Sequence, residues 1–150
     1  MINLSEEGPF PRRDAVPEAP PPAAPWLRTP VRAFMRPGVV CVAGDASLLQ
    51  VQRAMLAHRV HAVLITGAGG PLGWITVSGL LPWLGKEPAL YSAASAVTEP
   101  APWIAPSAPA AHALRALSEP GVSHLVVCPR ADAPPQGVVG EIDLVRIATE

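Results

Sequence analysis

The chain repeats itself. Adding 62 to the residue number carries Asp45-Ala46 onto Ser107-Ala108, Arg53-Ala54-Met55 onto Arg115-Ala116-Leu117, and Val60-His61 onto Val122-Ser123. Further along the offset becomes 64, taking Gly73 to Gly137 and Leu80 to Leu144, because one turn is two residues longer in the second half. A period of this length is too long for a solenoid and sits near the lower limit for an independent core. Each half reads as strand, helix, strand, strand, helix. Two such halves are expected to pack on one another about a pseudo-two-fold axis, giving a mixed α/β (α+β) architecture.

The elements follow from local patterning. In the first half, residues 39–42 read as a strand, and Gly44-Asp45-Ala46-Ser47 as a turn and helix cap. Leu48, Val51, Met55 and Leu56 recur at helical spacing. Residues 60–66 form an unbroken apolar strand, suited to a sheet covered on both faces. Residues 72–77 make the next strand, and Ser78 is expected to cap a short helix through Leu80, Leu81 and Trp83. In the second half, 103–105 is a strand and Pro106-Ser107-Ala108-Pro109 a turn and cap. Ala110, Ala113, Leu114 and Leu117 then face inward from a helix. Residues 122–128 are the buried strand, 130–136 the turn, 137–139 a strand, and 141–148 the closing helix. The repeats are placed at 29–88 and 89–150. Ahead of them, residues 1–28 carry Pro-Glu-Ala-Pro-Pro-Pro-Ala-Ala-Pro at 17–25 without apolar periodicity, and are expected to form an extended, mobile arm.

Composition removes several functions. A formal net charge of −1 over 150 residues supplies no field for nucleic acid or an anionic membrane. Residues 60–85 hold no Asp, Glu, Lys or Arg, but their six glycines and two prolines argue against a membrane span. Glu6 and Glu7 precede any apolar run, so no secretory signal is expected and the chain reads as soluble and cytoplasmic. Cys41 and Cys128 each lie among valines, which suits buried, inert thiols. The spacing of histidines and cysteines offers no metal motif. No phosphate-cradling Gly-x-x-x-x-Gly-Lys is present, and no nucleophile has a base at readable spacing, so the chain is not expected to be an enzyme.

The doubled arrangement resembles a pair of cystathionine-β-synthase-type (CBS) domains, a Bateman module, over about residues 29–149. Three segments carry the likeness. The first is Val31-Arg32-Ala33-Phe34-Met35-Arg36-Pro37, similar to the family's opening segment. The second is the helix followed by Arg59-Val60-His61-Ala62-Val63-Leu64-Ile65, and again Gly121-Val122-Ser123-His124-Leu125-Val126-Val127. The third is the closing pattern of Gly, two hydrophobics, Thr or Ser, any two residues, and Asp. That pattern is split between the halves. Gly73-Trp74-Ile75-Thr76-Val77-Ser78-Gly79 keeps the Thr and has Gly79 for the Asp, whereas Gly137-Val138-Val139-Gly140-Glu141-Ile142-Asp143 keeps the Asp and has Gly140 for the Thr. Leu64 and Val126 stand where the family has a proline.

The resemblance implies a regulatory module that holds AMP, ADP, ATP or S-adenosylmethionine between its repeats, with no required cofactor. It places Asp143 at the ribose hydroxyls, since a carboxylate accepts two hydroxyl donors at once. Thr76, Gly140, His61, Ser123 and His124 fall near the phosphates, and Trp103 can flank an adenine ring. At most one competent site per chain is expected, built on Asp143. Each residue has a plainer reading beside this one. Asp143 suits any helix N-terminus, the histidines are satisfiable by backbone, and Thr76 suits a helix cap. Trp74, Trp83 and Trp103 suit the core or a dimer interface. The family's habit of pairing through helices implies a homodimer, using the apolar Leu80-Leu81-Pro82-Trp83-Leu84 surface, and a signal passed to a separate protein. The alternative is a degenerate pair that serves only as a dimerisation or docking scaffold, as the broken motifs suggest. A cysteine-dependent enzyme stands behind both and requires an exposed thiol of depressed pKa.

Overall fold

The computed structural model describes residues 23–150. Most of the proline-rich arm lies outside the described residues. From Ala23 onward the chain is folded: Pro25–Arg28 forms a 3-10 turn, and its Trp26 packs on the core of the second repeat. A second such turn, Val31–Ala33, leads into the first strand, β1 (Arg36–Pro37).

The first repeat then runs β2 (Cys41–Ala43), α1 (Leu48–His58), β3 (Ala62–Gly67), β4 (Gly70–Thr76) and α2 (Val77–Leu80), the last extended by a 3-10 turn over Leu81–Trp83. The second repeat runs β5 (Trp103–Ile104), α3 (Ala110–Leu117), β6 (His124–Val127), β7 (Gly137–Gly140) and α4 (Glu141–Thr149). In each, the first strand pairs parallel with the second across the helix, because a parallel pair needs a crossover. The second and third strands pair antiparallel through a turn. The first of these turns is short: Gly67 pairs with Gly70, and only Ala68 and Gly69 lie between them.

Two sheets result, β2-β3-β4 and β1-β7-β6-β5. The segment ahead of the first repeat's own strands therefore completes the second sheet: β1 lies antiparallel to β7, with Arg36 opposite Val138. The unbroken apolar strands are explained by burial on both faces. In β3, Val63 and Ile65 join Leu48, Val51 and Met55 in the core of the first repeat, whereas Leu64 faces the other sheet. In β6, Leu125 and Val127 join the second repeat's core and Val126 meets Leu64. Trp74 and Cys128 fill the same inter-sheet layer.

Helix α1 starts where the sequence places it. Ser47 Oγ accepts from Gln50 N at 3.3 Å while Gln50 Oε1 accepts from Ser47 N at 3.2 Å, a reciprocal cap. Ser47→Ala is expected to cost about 1 kcal/mol, read as a lower urea midpoint at unchanged slope. Other expectations are corrected. Leu56 is 80% exposed and Leu114 40% exposed, so both lie on the outer edge of their helices. Thr76, not Ser78, caps α2: its Oγ1 accepts from Gly79 N at 3.0 Å. Cys41 is exposed, since β2 is an edge strand of its sheet, while Cys128 is buried as expected. Partial burial raises the thiol pKa of both, opposite to what a nucleophilic cysteine requires. Of the tryptophans, Trp74 is core, Trp83 stacks edge-on against Tyr91, and Trp103 is 47% exposed on β5. No helix among the described residues is long and apolar enough to cross a membrane.

Candidate ligand cleft

The pseudo-symmetry brings the starts of β3 and β6 together with the ends of β4 and β7. Ala62 pairs with Thr76 and His124 with Gly140. His61 and His124, just before and at these strand starts, form the shared wall of two adjoining clefts. One, of about 490 Å³, is lined by His61, Thr76, Ser123 and His124, with the carboxylates of Glu99 and Glu141. The other, of about 460 Å³, adds Arg36, Trp74 and residues 38–41 to the two histidines. Four of the sequence-predicted residues, His61, Thr76, Ser123 and His124, thus meet. Trp103 does not join them: it borders a separate cavity beside Cys41 and Cys128.

Asp143 occupies a different environment from an open ribose acceptor. It is fully buried at the first turn of α4. Its Oδ2 accepts from Gly140 N at 2.7 Å and from Arg36 Nε at 3.1 Å, and its Oδ1 accepts from Arg146 Nη1 at 3.0 Å. The carboxylate caps the helix and ties β1 to it. Neither cleft has Asp143 on its wall.

Both departures from the closing pattern sit where a Cβ would be crowded. A Cβ on Gly140 meets Arg36 Nη2 at 3.0 Å and His124 Nε2 at 3.3 Å, so these two side chains occupy the space beside the missing threonine. A Cβ on Gly79 falls 2.5 Å from Thr98 Oγ1, so the inter-repeat linker fills the place of the missing aspartate.

Three residues carry more of the site than the sequence suggested. Glu99 in the linker accepts from Ser123 N at 3.0 Å and from Ser123 Oγ at 2.6 Å. Its backbone carbonyl also accepts from Trp74 N at 2.9 Å, so the linker spans both repeats at the cleft. Arg36 lies in the opening segment with nothing in its neighbours to mark it. Trp74 is 1% exposed, and its Nε1 is the one buried side-chain nitrogen or oxygen without a hydrogen-bond partner among the described residues. Such an orphan donor costs about 1–3 kcal/mol. Its ring lies 5.4 Å from that of His124. Burial, reinforced by the Arg36 charge, pushes the His124 pKa down, with Glu99, Glu141 and Asp143 opposing; the ring is held neutral. Among the described residues no cluster of His, Cys, Asp and Glu is arranged to hold a metal ion.

A family model described as CBS domain matches residues 31–86 and 93–150. Solved structures agree with that fold. The CBS domain of a bacterial CNNM/CorC family Mg2+ transporter is 22% identical with a TM-score of 0.70, over 82% of this chain and 76% of that one. The same kind of domain in complex with ATP is 21% identical with a TM-score of 0.70, over 83% and 89%. A CBS-domain-containing protein from Agrobacterium tumefaciens is 22% identical with a TM-score of 0.64, over 78% and 96%. No curated protein gives a significant match.

Proposed function

The chain belongs to the CBS-domain family, and from that premise we propose that it is a regulatory module which binds an adenosine-containing ligand between its repeats and signals to a separate protein. The observation that carries this reading is the unpaired Trp74 Nε1–H, buried at the wall of a cleft that also presents the half-exposed Arg36. The cleft volume falls within the range of small-molecule sites. AMP, ADP, ATP and S-adenosylmethionine are the candidates, and a structurally similar CBS domain was solved with ATP. Charge orients the ligand: Arg36 favours phosphates on its side, whereas Glu99 and Glu141 repel them from the other cleft. The module works as a homodimer in the cytoplasm. An apolar groove of about 530 Å³ between α1 and α2, lined by Met55, Leu56, Leu80, Leu81 and Leu84, supports the pairing.

A thermal-shift panel of adenosine, AMP, ADP, ATP and S-adenosylmethionine tests the reading. Any ligand at 100 times its Kd adds about 2.7 kcal/mol of stability, and a clear rise in Tm is expected for at least one. The scaffold alternative draws on a specific observation, the engagement of Asp143 by three donors within the protein. No rise with any of the five would favour it.

A further inference from the structure

Glu99, Ser123 and His124 form a chain of hydrogen bonds whose direction is determined by the chemistry of its first member. An ionised carboxylate only accepts. At 2.6 Å from Glu99 Oε1, the Ser123 hydroxyl therefore donates its single proton to Glu99. Its oxygen, 2.8 Å from His124 Nδ1, is left to accept, so Nδ1 carries the ring proton. The remaining nitrogen, Nε2, then bears a lone pair. It has no partner among the described residues, and the ring borders both clefts.

Resting on the adenosine-ligand reading, we propose that Glu99 and Ser123 fix this tautomer so that His124 Nε2 accepts a hydrogen bond from an N–H or O–H donor on the nucleoside part of the ligand, and not from its phosphates. A fully ionised phosphate presents only acceptors to a neutral ring whose open nitrogen is also an acceptor, so near neutral pH the two do not bond. A ribose hydroxyl or the adenine amine supplies the matching donor. His124 is thereby a specificity-determining residue, and Ser123 and Glu99 are positioning residues.

The sign of the pH dependence separates this from a phosphate contact. Protonation converts Nε2 into a donor. Binding is expected to be full near neutral pH and to weaken as pH falls through the lowered His124 pKa. A cationic ring gripping phosphate gives the opposite trend. Other groups near the ring are Arg36 from β1, Glu99 from the linker, and Glu141 and Asp143 from α4, with His61 across the cleft. The His124 share is therefore read as the part of the profile that disappears in His124→Phe.

The experiment pairs 15N NMR of the free protein with calorimetric titration of adenosine, AMP and ATP from pH 5 to 8. The ring is expected as the Nδ1–H tautomer, reverting to a mixture in Ser123→Ala. His124→Phe is expected to weaken adenosine, AMP and ATP by the same factor, about tenfold, while His124→Gln, which keeps a carbonyl acceptor, restores part of it. An Nε2–H tautomer overturns the proposal. So does tighter binding at acid pH, or a loss that grows with phosphate number. Should the wild-type protein bind none of the three, the role of Nε2 is overturned whatever the tautomer, whereas the ligand reading itself falls only if ADP and S-adenosylmethionine also fail.

Discussion

Replacing Asp143 with alanine is expected to lower the unfolding free energy by about 3 kcal/mol, out of a total of about 5–15 kcal/mol for a domain of this kind. The carboxylate is fully buried, and its three donors come from separate places: the backbone of Gly140, Arg36 in β1, and Arg146 one turn along α4. Removing it leaves the first turn of α4 without a cap and unfastens β1 from the helix. The arginines soften the loss because they are 40% and 52% exposed and can turn to water. Asp143→Asn keeps one acceptor and is expected to lose less. Denaturant unfolding of both variants measures this. Were Asp143→Ala to keep its stability within about 0.5 kcal/mol while ligand binding vanished, the carboxylate would be a ligand group after all.

Restoring the missing aspartate is expected to harm the protein. By sequence, Gly79→Asp completes the family pattern and creates a second ribose acceptor. In the fold, the new Cβ falls 2.5 Å from Thr98 Oγ1, 2.6 Å from its Cγ2 and 2.9 Å from its Cβ. Thr98 is held in place: its backbone N and its Oγ1 both donate to the Trp74 carbonyl. A β-branched side chain so anchored cannot rotate away. We expect a loss of about 2–3 kcal/mol and no tighter nucleotide binding. Thr98→Gly in the same chain is expected to recover most of the loss, giving a favourable coupling energy in a double-mutant cycle. A stable Gly79→Asp protein with stronger binding would mean that the linker yields.

The fold was largely legible because repetition and apolar periodicity are properties of single segments. The offsets of 62 and 64 align β2 with β5, β3 with β6 and β4 with β7, and the unbroken runs through Leu64 and Val126 announce strands covered on both faces. The site was legible only by half. His61, Thr76, Ser123 and His124 adjoin strand ends, whose meeting follows from the repeat. Arg36, Glu99 and the burial of Asp143 depend on long-range contacts, with separations of 107 residues for Arg36–Asp143 and 24 for Glu99–Ser123. No local pattern encodes those. Cys41 is exposed for a related reason: its valine neighbours give hydrophobicity, but edge position in a sheet is set by topology.

The antiparallel pairing of β1 with β7 gives the segment around Arg36 mechanical access to the second repeat. Val31 and Phe34 belong to the core of the second repeat, although they lie ahead of the first repeat's own strands in sequence. A pull applied ahead of Ala23 would load Trp26 and Val31 on the second repeat's core, and behind them Arg36, the residue that grips Asp143 and borders the cleft. The tail and the cleft thus act on one lever. Any partner that seizes the proline-rich arm takes hold of a handle whose other end rests against the cleft wall.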